Sequence, residues 1–155
     1  MKIHLRPAVL ILPVLFLLPI PARAAGIDKS VILDEQQINQ LEQRALQANP
    51  REQCFLYTEL VSAMTEVAGK QMLDGDTDHA SATLKKVEHY AQLIQLNLAR
   101  DTKRLKNSEI LMHRTTYRLT EYLHRASSED QATLQATLKR LDQVQNDILT
   151  QVFNH

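Results

Sequence analysis

Neither glycine nor proline occurs between Asp76 and His155, so more than half of the chain lacks the two residues that most strongly turn or break a backbone. All three glycines (Gly26, Gly69, Gly75) and all five prolines (Pro7, Pro13, Pro19, Pro21, Pro50) come earlier. With so few loop-forming residues there is little irregular backbone on which to mount reactive groups, and neither G-x-S-x-G nor a glycine-rich phosphate loop is present. The chain reads as non-enzymatic. Cysteine is nearly absent too. Cys54 stands alone, which rules out an intramolecular disulfide and, with no C-x-x-C-H, covalent c-type haem. A buried, inert thiol is the favoured reading over a bridge between two chains.

Long apolar runs are missing except near the N terminus. Lys2 and Arg6 precede the apolar stretch Ala8 to Ile20, and Ala22-Arg23-Ala24 has the A-x-A form of a cleavage site. That stretch is about 13 residues, interrupted by Pro13 and Pro19, and falls short of the roughly 20 needed to span a bilayer. Residues 1–24 are therefore expected to be a cleaved signal peptide. No transmembrane segment remains after cleavage, and the expected destination is periplasmic or secreted.

An excess of either charge is also lacking, since 18 cations face 18 anions. Loss of Lys2, Arg6 and Arg23 leaves 15 against 18, a net charge of −3, which argues against a nucleic-acid binder. What remains is a leader over 25–33 and one domain over 34–155.

What the chain does have is a leucine-led pattern of helical period. Asp34, with Gln37 three positions on, forms a capping-box start for a short helix whose stripe is Ile38, Leu41, Ala45 and Leu46. Asn49-Pro50-Arg51-Glu52 supplies an N-cap, a proline at the first helical position and an early acid, opening a second helix to about Leu73. It buries Leu56, Tyr57, Leu60, Ala63, Met64 and Val67, and Gly75 suits the left-handed position past its end. Gly69 lies inside it for one of two reasons, close approach of a neighbour or none.

A heptad seam then runs through Leu84, Val87, Ala91, Ile94, Leu98, Asp101, Leu105, Ser108, Met112, Thr115, Leu119, Tyr122 and Ala126. Two geometries fit: one very long central helix over about 79–126, or two helices broken within Lys103 to Ser108 and restarted at Asn107-Ser108-Glu109. The compact version is preferred. Asp101 on this seam either sets register or marks the break. Ser128 with Gln131 opens a last helix lined by Leu134, Leu138, Leu141, Val144, Ile148 and Val152. The fold class expected is all-α: an antiparallel bundle of about four long helices plus a short N-terminal one.

Charges are unevenly distributed. Glu52, Glu59 and Glu66, spaced by sevens on the second helix, face a basic middle segment containing Lys103, Arg104, Lys106, Arg114, Arg118 and Arg125. Pairing within one molecule is preferred to a basic patch for an anionic ligand or membrane, and peripheral membrane contact is not expected. Metal is weighed through Glu121-Tyr122-Leu123-His124, the single Glu-x-x-His pair, and through Glu109 with His113. Rotation by 100° per residue turns Glu121 and His124 away from the apolar seam, so no metal and no cofactor is expected. Haem bound by Met64 or Met72 would lack a facing histidine, and core packing is the ordinary use of such methionines.

The same rotation brings Ile110, His113, Tyr117, Glu121 and His124 to one outward face, where an isoleucine and a tyrosine are unusual company for a solvated strip. The function expected is protein–protein contact through these residues, with a foreign partner or as a homodimer. The alternative is a metal- or cofactor-binding bundle using His113, Glu121 and His124.

Overall fold

The computed structural model describes residues 32–98 and 102–154. Five helices and no strand occur among them: α1 (Glu35–Gln47), α2 (Pro50–Leu73), α3 (Thr77–Leu98), α4 (Leu105–Arg125) and α5 (Ser128–Asn154). The chain is all-α, and the compact arrangement is the one adopted. The signal segment, most of the leader and Asp101 lie outside the described residues.

Local chemistry sets most of the boundaries. The Asp34 carboxylate accepts from the Gln37 N–H at 2.8 Å while the Gln37 side chain accepts from the Asp34 N–H at 2.9 Å, closing the capping box of α1. Asn49 accepts from the Arg51 N–H at 3.0 Å, and Pro50 needs no donor at the first position of α2. Gly75, at φ 79°, ends α2 in the left-handed conformation; its N–H donates to Met72 O and that of Asp76 to Gln71 O, satisfying two carbonyls of the last turn.

Two expected boundaries are corrected. The break between α3 and α4 precedes Leu105, and Asn107-Ser108-Glu109 caps nothing: Ser108 is buried and its N–H donates to Arg104 O at 2.9 Å. Arg104 itself makes the turn, at φ 62° and ψ 29°. Its guanidinium lies 3.5 Å from the centroid of the Phe55 ring, and the preceding Lys103 N–H donates to Arg51 O at 2.8 Å. Tertiary contacts thus hold a conformation that costs a non-glycine residue about 1 kcal/mol or more. At the other correction, Ser127 rather than Ser128 caps α5, accepting from the Asp130 N–H at 3.3 Å and donating to its carboxylate at 2.8 Å.

Helices α2 and α3 form one antiparallel hairpin and α4 and α5 a second. The hairpins lie side by side, α2 against α4 and α3 against α5. Cross-helix pairs keep a nearly constant offset (Glu52 with Lys103, Glu66 with Arg118; Glu88 with Thr137, Gln95 with Asp147), so these side-by-side neighbours run parallel. Such pairing leaves α3 and α4 on a diagonal. Periodicity within each helix does not determine this arrangement.

The core contains the seam: Leu84, Val87, Ala91, Ile94, Leu98, Leu105, Met112 and Leu119 are buried, with Leu134, Leu141, Val144 and Ile148 from α5. Thr115, a weak point of the pattern, is buried and returns its hydroxyl to Leu111 O at 2.8 Å, as Thr58 and Thr65 do on α2 to Cys54 O and Val61 O. α2 is enclosed on more sides than its single expected stripe, because α1, α3 and α4 all pack on it. Cys54, Phe55, Val61 and Ala68 are buried there, whereas Ala63 and Val67 are half-buried; Leu46 of α1 points outward. Short α1 is fastened by a hydrogen bond from the Tyr90 hydroxyl to Glu42 and by Gln53 Nε2 donating to Ala45 O at 3.2 Å.

Candidate functional site

Along α4 the side toward α2 is a polar clasp. Arg118 donates to Glu66 through Nε at 2.9 Å and Nη2 at 3.1 Å, to Glu121 through Nη1 at 2.6 Å, and to the Tyr122 oxygen at 2.9 Å. The Tyr122 O–H in turn donates to Glu66 at 2.6 Å. Partial burial and the bond to Glu66 push the Tyr122 hydroxyl up to about 12, so it remains a donor at neutral pH. Tyr122 fits here because Gly69 lies opposite: a Cβ added to Gly69 would stand 2.2 Å from the tyrosine ring. Close approach of a neighbour is therefore the reason for the glycine. Sequence spacing could indicate that Glu66 faces a cation, but not that Gly69 and Tyr122 are opposed, since they belong to different hairpins.

The seven-spaced acids of α2 all meet the basic segment, as internal pairing requires. Lys103 Nζ is 3.9 Å from Glu52, and Glu66 has Arg118. Glu59 feels Arg44 and Arg104, yet partial burial outweighs both and raises its pKa.

On the outward side of α4, Ile110 is 58% exposed and Tyr117 63% exposed, two turns apart. His113 and His124 are exposed on the same strip, and the His113 ring Nδ1 is 3.0 Å from Gln145 Nε2 of α5. Glu121 is half-buried and turned to Arg118, so it joins the clasp rather than the histidines. Among the described residues no group of three or more His, Cys, Asp or Glu side chains is placed to hold a metal ion, and His113, Glu121 and His124 do not converge.

Beside the strip is an open groove of about 790 Å³, floored by α2 and walled by α1 and α4. Leu33, Leu41, Leu111 and Ala63 give it apolar surface; Arg44, Arg114, Arg118, Glu59, Glu66 and Glu121 give it balanced charge. His113, Tyr117 and Glu121 line it; Ile110 and His124 do not. Cys54 is elsewhere, buried near the start of α2, and burial pushes its thiol up to about 11 despite the adjacent Ser108 hydroxyl. No described helix is long and apolar enough to cross a membrane. Comparison of the chain with protein-family profiles, with curated proteins and with solved structures finds no match to any of them.

Proposed function

We propose that this is an exported, non-enzymatic helical-bundle protein that works through protein–protein contact, made by the outward strip of α4 around Ile110, His113 and Tyr117. The observation that carries the reading is the exposure of Ile110 and Tyr117 on a helix whose opposite side already fills the core. A scattered exposed apolar residue needs no account. Two of them two turns apart on one face, beside an open groove with apolar walls, present an anchor of the kind that tyrosine supplies at interfaces: rigid apolar area with a polar tip.

A photo-crosslinking residue placed at position 110 or 117 in the cells that make the protein tests this. Adducts are expected from those positions and not from position 43, an exposed glutamine on α1. Absence of adducts from both strip positions refutes the reading. Sedimentation of the purified protein at micromolar concentration separates a second copy from a foreign partner: a dimer that Tyr117→Ala dissociates points to the former, and a monomer to the latter.

A further inference from the structure

The outward strip of α4 has the same pattern from either end. Ile110 and Tyr117 are equally distant from the midpoint between His113 and Arg114, and Lys106 and Glu121 are equally distant from it farther out. At 3.6 residues per turn these four fall within about 60° of one another around the helix. Lys106 is exposed and has no ion pair or hydrogen bond among the described residues. Glu121 gives one carboxylate oxygen to Arg118 at 2.6 Å and its side chain is 33% exposed, which leaves the other oxygen able to accept. At the midpoint His113 is drawn toward α5 by Gln145, while Arg114 lines the groove and is engaged within its own chain. Arg125 stands beyond the strip, beside Gly69, Met72 and Leu73.

From this symmetry we infer that the strip takes a second copy of the chain as its partner, two α4 helices crossing antiparallel about a two-fold axis that passes between His113 and Arg114. The inference rests on the contact reading above and names the occupant. In such a crossing a residue meets whatever lies equally far on the other side of the axis. Ile110 therefore covers Tyr117 of the second copy, and Tyr117 covers its Ile110. The register that the apolar pair selects also places Lys106 opposite Glu121 of the second copy, at both ends of the contact. Apolar meets apolar twice and cation meets anion twice, which fixes the register and rejects others. A shift by one turn sets Ile110 against His113 or Glu121 and breaks both kinds of pair.

The test joins sedimentation to directed disulfides in the purified protein at about 100 µM, because a four-turn contact lies at the small end of specific interfaces. Ile110→Cys and Tyr117→Cys proteins are oxidised separately and as a mixture. The mixture is expected to give a reducible dimer joined from position 110 to position 117, since each mixed pair keeps one native Ile110 to Tyr117 contact. Either variant alone should give at least about tenfold less, its two new cysteines lying about 10 Å apart along the helices, beyond disulfide reach. Cys54 is buried and takes no part. The wild type is expected to sediment as a dimer, and Lys106→Glu, with an unchanged thermal melt, to weaken it about tenfold by setting carboxylates together at both ends. A monomeric wild type, a mixture that yields no more dimer than the single variants, or a dimer indifferent to Lys106→Glu overturns the inference. Contact through the strip survives those results if cellular adducts from position 110 or 117 join a foreign protein; absence of adducts from both positions overturns the two readings together.

Discussion

Replacing Gly69 with alanine pits helix propensity against a single close approach. Inside α2 the methyl group alone favours folding by about 0.8–1 kcal/mol. Against this, the new Cβ would lie 2.2 Å from the Tyr122 ring, and the ring is not free to slide away: its hydroxyl donates to Glu66 at 2.6 Å and accepts from Arg118 at 2.9 Å. Overpacking costs about 1–3 kcal/mol, and losing a hydrogen bond to a charged group adds about 1.5–3 kcal/mol if the ring is expelled. The expected net is a loss of about 2 kcal/mol, read by urea or thermal unfolding as a fall in Tm of roughly 4 °C per kcal/mol for a domain of this size. The decisive control is the same change in a Tyr122→Ala background, where the clash is gone and Gly69→Ala should stabilise by about 0.8–1 kcal/mol. If Gly69→Ala matches or exceeds the wild type when Tyr122 is present, the close packing of α2 on α4 is refuted.

Arg104→Ala keeps the left-handed strain but loses the stack on Phe55, and should destabilise by about 1 kcal/mol; Arg104→Gly loses the stack but relieves the strain and should be near neutral in the same melts. With its thiol pushed up to about 11, Cys54 should carry at pH 8 about a hundredth of the thiolate of an ordinary cysteine. Disulfide-exchange reagents should therefore modify it only on unfolding; rapid native labelling would show that it is not buried. Because partial burial raises the pKa of Glu59, the folded protein favours its protonated form, so what this residue adds to stability is greatest below its unfolded pKa and lost as pH rises through the folded one. Glu59→Gln should be neutral or stabilising at pH 7, with the difference vanishing near pH 4; destabilisation at pH 7 would mean that Arg44 and Arg104 dominate.

What could be read from the sequence was whatever acts within a helix or at its ends. The capping box at Asp34, the Asn49-Pro50 start, Gly75 and the seam from Leu84 to Leu119 are short-range signals, and each appears where its local chemistry requires. The break itself falls within the expected Lys103 to Ser108, but the restart at Asn107-Ser108-Glu109 was placed too late because its cause is long-range: Arg104 takes a glycine-like conformation where Phe55, some fifty positions away, receives its guanidinium. Parallel pairing of the two hairpins was illegible for the same reason. At the candidate site, helical rotation correctly turned Ile110, His113, Tyr117 and His124 outward but missed that Glu121 would be drawn to Arg118, an interaction that depends on Glu66 standing next to both.

The cations of the basic segment differ in exposure, and the difference has a measurable signature. Arg118 is part of the clasp that registers α4 on α2, and Glu66 beneath it is buried. Arg118→Gln would replace a charged donor beside that carboxylate with a neutral amide, at a cost of about 1–3 kcal/mol; exposure of the arginine places the value in the lower half of that range. Lys106 and Arg125 are exposed, so reversing their charge should change stability by less than about 0.5 kcal/mol. Crosslinking through position 110 or 117 should survive Arg118→Gln at temperatures where the variant is folded. Should Lys106→Glu or Arg125→Glu cost as much stability as Arg118→Gln, the clasp would not be what registers α4 on α2.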